Sequence, residues 1–458
     1  MTRTPALKAL LACLGLLTCS STWAQTPAQP DLGPRLARAA ARIDSISNGA
    51  DRIGDYNTVR NLQQQWGYYV DKALWDEATD LFTDDGSIEL GLNGVYVGKP
   101  AIRKYLYSLS GGKPGLLKGQ LNNHFLRSPV ITLSADGMQA KARWHDTIQD
   151  GIYGQSANWG AGVYENDYVK QGGLWKIAAL HYYPRFHAPY EGGWTHATAA
   201  STRSYGKSSV KPTRGPSVTY ELWPATYTAP MHFDNPARSD YKLVPAAAAP
   251  AADQSAKKSV AELEAQVRAL ELKIDKLRSF DEVENLESTY GYYADKSMQD
   301  AISALFTENA WLEILGRGVF LGRDRVYEYM RRLGAPTYGT LFNHMQIQPV
   351  INITPDGNTA TIRSRLVVMY GLLDRSAQWG DGVYENVYVR ENGIWKYQVL
   401  NGYQTFYTDY DKGWGKHSAG MFSPFAGYPP DMPQSVSYDP WPAPFIPPFN
   451  YRHPVTGK

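Results

Sequence analysis

Cysteine is scarce in this chain of 458 residues, which contains two, Cys13 and Cys19. Both lie at the start of the chain, where two basic residues precede an apolar run and small residues follow it. This pattern predicts a secretory signal peptide over residues 1–24. A product cut after Ala24 would contain no cysteine, which excludes disulfides, thiolate nucleophiles and cysteine-ligated metals.

The same segment sets the expected location of the protein. We expect export to the periplasm or secretion, with a soluble mature chain. The alternative is a cut before Cys19, because LLTC at 16–19 approximates the site at which a cysteine becomes lipidated. In that case the protein would be anchored to a membrane by its lipid.

Neither long apolar runs nor an excess of one charge is present. No stretch after the leader approaches roughly 18 consecutive apolar residues, so we expect no transmembrane segment in the mature chain. The 46 basic and 44 acidic residues nearly balance, which argues against a nucleic-acid partner. A hydrophobic content of 43% is enough to bury more than one core, and the length predicts two or three domains.

What the chain does contain is two copies of one long segment. GYYVDK at 67–72 returns as GYYADK at 291–296, and LFTDDGSIEL returns as LFTENAWLEI at the same offset. Further along, NNHFLRSPVI at 122–131 matches FNHMQIQPVI, and SANWGAGVYEN matches SAQWGDGVYEN. A solenoid unit would repeat every 20–50 residues or so, and this much longer period therefore indicates two copies of a whole domain.

Each copy has helical patterns first and β patterns afterwards. In the first copy, apolar spacing predicts a helix over about 55–72, a short helix over 75–82 and a third helix beginning near Pro100. A strand or two are expected around 87–97, and further β runs follow the glycine-rich loop at 110–115. The predicted class is α+β, with helices first and a strongly curved antiparallel sheet afterwards in each of two tandem domains.

A heptad pattern precedes each copy. Apolar residues recur three and four positions apart between Val260 and Leu277, which is typical of a coiled-coil seam. The first copy has a weaker seam between Leu36 and Ile53, where the Asn-Gly pair at 48–49 is expected to interrupt the helix. These helices could pack on their own domains, pair with each other, or join two subunits of a homo-oligomer.

These features divide the chain into six segments. They are a signal peptide, an amphipathic helix, a first domain with a C-terminal extension, a Pro/Ala linker, a coiled-coil-like helix, and a second domain with its own extension. The corresponding ranges are 1–24, 32–54, 55–240, 241–259, 260–278 and 279–458.

Several short motifs mark the first copy, and most of them return in the second. They are D-x-x-x-W-D at 71–76, L-F-T-D-D at 81–85 and N-H-F-L at 123–126, followed by G-V-Y-E-N and W-K-I. Their order and spacing resemble the SnoaL-like domains over about 55–190 and 279–410. The resemblance implies the cone-shaped fold of nuclear transport factor 2, shared by scytalone dehydratase, polyketide cyclases and related lyases and isomerases.

The resemblance also implies a catalytic dyad in each copy. Dehydratase-like members use an aspartate from the first helix and a histidine from the first long strand. The matching residues are Asp71 with His124, and Asp295 with His344. The carboxylate would orient the imidazole and stabilise its charged form, and the other ring nitrogen would remove a proton. No cofactor is implied, and no metal ion either, because only one histidine per copy recurs.

Aromatic residues that recur in both copies are the predicted substrate contacts. The tyrosine pairs before each aspartate could donate hydrogen bonds to a substrate carbonyl, and the others could line the cones or fill them. These residues are Tyr68, Tyr69, Tyr292, Tyr293, Trp159, Tyr164, Trp379 and Tyr384. The repeated glutamates Glu165 and Glu385 are expected to pair with Arg143 and Arg363.

Three functional hypotheses follow from these observations. The first is an exported lyase or isomerase that abstracts a proton from a small, hydrophobic, oxygenated molecule, with an independent site in each copy. The others are a non-catalytic protein that binds apolar molecules, and an assembly protein whose cones are packing units. The second copy could be degenerate, because Gln299 and Asn401 stand where the first copy has Trp75 and His181.

Overall fold

The structure is a computed structural model that describes residues 32–242, 244 and 258–458. The expected leader with its two cysteines lies outside the described residues, as does most of the expected linker. Among the described residues, no helix combines the length and the apolar character needed to span a bilayer.

The two copies contain the same elements in the same order. The first consists of α1 (Leu32–Asp71), α2 (Trp75–Asp80), β1 (Phe82–Leu90), β2 (Val95–Val97), α3 (Lys99–Leu109), β3 (Gln120–Leu133), β4 (Gln139–Ile152), β5 (Ser156–Gln171), β6 (Leu174–Pro189), a 3-10 turn (Gly193–His196) and α4 (Ala199–Ser204). The second consists of α5 (Val260–Ala294), α6 (Gln299–Ala304), β7 (Phe306–Ile314), β8 (Val319–Leu321), α7 (Arg323–Leu333), β9 (Thr340–Ile353), β10 (Thr359–Leu372), β11 (Ser376–Glu391) and β12 (Ile394–Asp409). The α+β class and the duplication are thus confirmed.

Each copy forms one six-stranded sheet around its helices. The strand orders are β2-β1-β6-β5-β4-β3 and β8-β7-β12-β11-β10-β9. β1 runs parallel to β6, and β7 runs parallel to β12. The sheets are therefore mixed, whereas the sequence predicted antiparallel sheets. A bulge interrupts the register near Ser128 in β3 and near Gln348 in β9, and both residues have positive φ angles. Bulges of this kind increase the twist and bend of a strand, which curves the sheet over its helices.

Helix α1 is continuous across the Asn-Gly pair at 48–49, so the expected interruption is wrong. It also runs unbroken through the expected boundary between residues 54 and 55. The physical reason is tertiary packing, which outweighs the low helix propensity of one Asn-Gly pair. Ile43 and Ala50 of α1 form a buried cluster with Leu263 and Leu270 of α5.

The two long helices lie parallel and in contact, which answers one question that the heptad pattern left open. Arg60 pairs with Glu284, and Lys273 pairs with Asp51 at 2.8 Å, so residue numbers rise together along both helices. Only part of the predicted seam is covered. Ile46, Ile53, Val260 and Ile274, all predicted seam residues, are exposed.

A buried ion cluster joins the two copies. Arg365 on β10 pairs with Asp71 at the end of α1 and, at 3.0 Å, with Asp381 on β11. All three side chains are almost fully buried. Burial lowers the pKa of Lys72 to about 8, although the nearby carboxylate of Asp381 acts in the opposite direction and raises it. At neutral pH, Lys72 is therefore mostly protonated beside the carboxylate of Asp381.

The C-terminal segment of the second copy returns to the first copy. Phe449 and Tyr451 pack against Tyr69, and a ring nitrogen of His453 lies 3.0 Å from the carbonyl oxygen of Glu77. Trp414, in the loop after β12, is fully buried between the copies. The two domains therefore share one interface built from helices, sheets and the C-terminal extension of the second copy.

The ion cluster generates the first stability prediction. Arg365→Leu leaves two buried carboxylates without their cation, and breaking a buried pair in this way typically costs about 3–5 kcal/mol of unfolding free energy. Guanidinium chloride unfolding followed by tryptophan fluorescence measures the loss. The matched control is Arg238→Leu, which removes an exposed pair with Asp240 and should cost at most about 1 kcal/mol. Equal losses in both variants would contradict the structural role of Arg365.

The helix pair generates a second prediction. Leu270 is 9% exposed and Ile274 is 44% exposed. Leu270→Ala should open the contact between α1 and α5 and speed amide hydrogen exchange over residues 260–277, because Leu-to-Ala changes at buried sites cost about 2–5 kcal/mol. Ile274→Ala should leave exchange unchanged. If Ile274→Ala opened the helix equally, its side chain would be covered in solution, as in an assembly of several chains.

Candidate functional site

The cone of the first copy contains an open cavity of about 410 Å³ between its sheet and its helices. Its lining combines an apolar wall with a side that carries many polar groups. Residues from α1, α2 and α3 form the apolar wall, namely Trp66, Val70, Trp75, Leu106 and Leu109. The polar side includes His124, Asp150, Asn158, His187 and Tyr205.

His124 is a deeply buried ionisable residue of this lining. Its ring Nδ1 lies 2.7 Å from Oδ2 of Asp146, and both residues are 1% exposed. The register explains the contact: His124 on β3 faces Ile148 on β4, so Asp146 is the diagonal neighbour on the same face of the sheet. With Nδ1 bound to the carboxylate, Nε2 is the nitrogen left for a bound molecule.

Asp71 does not bind the ring of His124 as the resemblance implied. Its Oδ1 accepts a hydrogen bond from the backbone N–H of His124 at 2.7 Å, and its Oδ2 pairs with Arg365 of the second copy. The carboxylate therefore fixes the strand that carries His124, while Asp146 orients the imidazole. The expected pairing of Asp71 with the His124 ring is corrected to Asp146 with that ring.

A second histidine–carboxylate pair lines the same cavity. Nε2 of His187 on β6 lies 2.6 Å from Oδ2 of Asp150 on β4, although β5 runs between these strands. Gly160 on β5 makes this possible, because a Cβ there would come within 3.3 Å of the His187 ring. Oδ1 of Asp150 accepts a hydrogen bond from Asn158 at 2.7 Å, which fixes the carboxylate.

Two tyrosine hydroxyls complete the polar surface. Tyr205, which follows α4, places its hydroxyl 3.4 Å from Nε2 of His124. Burial raises the pKa of Tyr205 well above its usual range, and burial together with the charge of Asp146 does the same for the pKa of Tyr164. Both tyrosines are therefore protonated at neutral pH. The Tyr164 hydroxyl is hydrogen-bonded to Asp146, whereas the Tyr205 hydroxyl can donate to an oxygen atom in the cavity.

The matching cone of the second copy has lost most of these groups. Leu366, Tyr370 and Tyr407 stand where the first copy has Asp146, Asp150 and His187. His344 keeps only its aspartate: Oδ1 of Asp295 accepts from the His344 backbone N–H at 2.6 Å and lies 3.5 Å from its ring Nδ1. The Tyr407 ring packs edge-on against Phe422 in the second core.

Of the eight aromatic residues predicted to contact substrate, only Tyr164 lines the cavity of the first copy. Tyr68 and Tyr69 lie in the interface, where the Tyr68 hydroxyl donates to the carbonyl oxygen of Gln348. Trp159 and Trp379 contact each other across the interface. In the second copy, Tyr292 is 74% exposed, and Tyr293 and Tyr384 pack in the core. The expected pairs Glu165–Arg143 and Glu385–Arg363 are confirmed.

Sequence reasoning missed Asp146, Asp150, His187 and Tyr205. It favoured residues that recur in both copies, and these four do not recur. A usable signal was present: Asp146 and Asp150 are four residues apart on one strand, so both side chains point to the same face. Among the described residues, no group of three or more His, Cys, Asp or Glu side chains is arranged to hold a metal ion.

Several solved structures are similar to part of this chain. A candidate scytalone dehydratase from Novosphingobium aromaticivorans is 20% identical, with a TM-score of 0.28, over 33% of this chain and 96% of its own. The hexachlorocyclohexane dehydrochlorinase LinA-type3 from Novosphingobium barchaimii is 19% identical, with a TM-score of 0.27, over 30% of this chain and 92% of its own. ActVI-ORFA from Streptomyces coelicolor is 15% identical, with a TM-score of 0.25, over 27% and 96%.

The family assignment comes from a comparison with domain models. The model of the SnoaL-like domain matches residues 51–181 and again residues 275–401, which together are more than half of the chain. No protein of curated function matches the sequence. The two matched ranges agree with the duplicated helices and sheets, and the protein therefore belongs to the SnoaL-like domain family, of which it carries two copies.

Proposed function

We propose that the first copy is a lyase or isomerase that removes a proton from carbon in a small, hydrophobic, oxygenated molecule. The observation that carries this proposal is the buried His124–Asp146 pair, whose second ring nitrogen faces the Tyr205 hydroxyl in the cavity. Family members include enzymes of this kind, but the proposal rests on these contacts within the chain.

The chemistry requires only groups that the chain supplies. Nε2 of His124 accepts the proton, and the carboxylate of Asp146 stabilises the imidazolium that forms. Removal of a proton beside a carbonyl group moves negative charge onto the carbonyl oxygen. The hydroxyl of Tyr205 can donate a hydrogen bond to that oxygen, which stabilises the charge that develops there.

The cavity restricts the class of molecule that can react. Its volume of about 410 Å³ is at the lower end of the range for small-molecule sites. Tryptophan and leucine side chains from the helices cover one face of a bound molecule, while oxygen atoms would face the strands. A compact ring or short chain with one or two oxygen atoms satisfies both surfaces.

The second copy acts in this proposal as a support for the first. Arg365 holds Asp71, which in turn holds the backbone of His124. Trp414 donates a hydrogen bond from Nε1 to the carbonyl oxygen of Asp150 at 2.8 Å. Two elements of the first site are thus fixed by the second copy, whose own cone has lost the matching polar groups.

Hydrogen exchange into simple ketones tests this function and does not require the natural substrate. A panel of small aromatic and alicyclic ketones in deuterium oxide, followed by NMR, should show loss of the hydrogen next to the carbonyl group. His124→Gln should slow the exchange by about 10²- to 10⁴-fold, which is the usual contribution of a general base. Asp146→Asn should also slow it, because the imidazolium loses its counter-charge.

His344→Gln is the matched control, since this histidine stands at the same place in the second copy. It should leave exchange unchanged. If the parent protein binds ketones but exchanges no hydrogen, the first copy is a binding domain and the enzyme proposal fails. If His344→Gln abolishes exchange while His124→Gln does not, the active cone is the second one.

We further propose that this reaction takes place outside the cytoplasm, as the leader pattern indicates. Mass spectrometry of the protein from a native host should find Gln25 at the N-terminus, because the leader pattern places the cleavage site after the small residue Ala24. A diacylated Cys19 would instead support the lipid-anchored form. An unprocessed Met1 would overturn the export proposal.

A further inference from the structure

We infer that an aromatic groove between the two copies is a second ligand site, and that it binds an organic cation with an apolar body. The groove is open and has a volume of about 930 Å³, which is within the usual range of small-molecule sites. Six aromatic residues line it, namely Trp159, Phe186, Tyr190, Trp194, Trp379 and Tyr410. Binding here does not depend on the reaction proposed for the cone.

The groove lies on the outer face of the first sheet, away from the cone cavity. Thr147 on β4 is paired with Ala161 on β5, which is paired with Phe186 on β6, and all three residues line the groove. The next residue after Phe186 is His187, which lines the cone. Successive side chains of a strand point to opposite faces, so the sheet separates the groove from the cone.

Both copies contribute matching residues to the groove. Trp159 and Tyr190 of the first copy correspond to Trp379 and Tyr410 of the second. The two tryptophan rings meet at 69° with their centroids 5.9 Å apart, and the two tyrosine rings meet at 66° with their centroids 6.3 Å apart. The rings therefore form corners and not a flat floor, so a small group can contact more than one ring.

One aromatic pair is covered in the second copy and open in the first. Phe406 and Trp414 are fully buried, with ring centroids 5.9 Å apart, and Trp414 donates a hydrogen bond to Asp150 of the first copy. The corresponding pair is Phe186 and Trp194, with centroids 6.1 Å apart. Trp194 is 60% exposed at the groove, and no described part of the chain covers it as the first copy covers Trp414.

The charges at the groove select a cation. Glu191 and Asp411 line it, and none of the lining residues that the structure describes is Lys, Arg or His. Glu191 pairs with Lys416. Asp411 has no ion-pair partner among the described residues, and the neighbouring Lys412 pairs with Asp409 at 3.0 Å. The carboxylate of Asp411 therefore remains to balance the positive charge of a ligand.

Several other polar groups of the lining are already engaged. Arg127 donates to the hydroxyl of Thr147, and the hydroxyl of Thr195 donates to a backbone carbonyl oxygen. Nε1 of Trp379 donates to the Tyr190 hydroxyl at 3.1 Å. A ligand with many hydroxyl groups would find few partners here. An organic cation is better matched, because the faces of tryptophan and tyrosine rings attract positive charge.

The experiment uses the full chain and three soluble probes that share a benzene ring and differ in charge. They are benzyltrimethylammonium, neutral benzyl alcohol and anionic phenylmethanesulfonate. Titrations followed by tryptophan fluorescence and by saturation-transfer NMR measure each Kd. Benzyltrimethylammonium should bind roughly 10-fold more tightly than benzyl alcohol, because the ring faces and a carboxylate favour its charge. Added salt should weaken its binding, since the carboxylate is exposed to solvent.

Two variants test the groove itself. Trp194→Ala should weaken the binding of benzyltrimethylammonium by about 5- to 30-fold, the usual range for loss of a cation–π contact. Asp411→Asn should weaken it by roughly 2- to 5-fold and remove most of the salt dependence. The matched controls are Tyr338→Ala and Asp281→Asn, which change exposed residues outside the groove and should keep the Kd of the parent. All four residues are exposed, so the unfolding midpoint should not change.

Four outcomes would overturn the inference about the groove. Equal affinities for benzyltrimethylammonium and benzyl alcohol would reject selection by charge. Absence of benzyltrimethylammonium binding to the parent, or unchanged binding in Trp194→Ala, would reject the groove as the site. In analytical ultracentrifugation, a dimer of the parent that Trp194→Ala abolishes would show that a second copy of the chain covers the groove instead.

Discussion

The buried ion pair between Arg365 and Asp71 is the contact on which the rest of the arrangement depends. Charges taken out of water are costly unless each has a partner, so this pair fixes how the two copies dock. The same carboxylate accepts the backbone N–H of His124 through its other oxygen. Docking of the domains and placement of the candidate base are therefore coupled through a single side chain.

The two copies share a fold but differ in the residues that line their interiors. Helices, strand order and bulges agree, because apolar spacing and β propensity are retained in both halves. The interiors differ, since Leu366 and Tyr407 in the second cone replace ionisable residues of the first with apolar and aromatic packing. A cone filled in this way no longer offers paired histidines, yet it still presents Arg365 and Trp414 to its neighbour.

The sequence predicted the fold well and the site in part. Repeated motifs identified the family, and the histidine at 124 does line the cavity. The partner of its ring was missed because Asp146 lies diagonally opposite His124 on the neighbouring strand. That contact is set by strand register and not by any motif. His187 was missed because it does not recur, and its link to Asp150 depends on the space left by Gly160. Continuity of α1 depended on packing against α5, which local propensity does not reveal.

Fusion of the copies explains why the interface is asymmetric. In a dimer of identical chains, every contact from residue i to residue j is matched by one from j to i, so the Arg365–Asp71 pair would occur twice. Here His145 stands at the position of Arg365 in the first copy, and Asp295 contacts its own His344. A single chain can keep the cation in one half and the candidate catalytic groups in the other. Separate identical subunits would have to place both sets of residues in every cone.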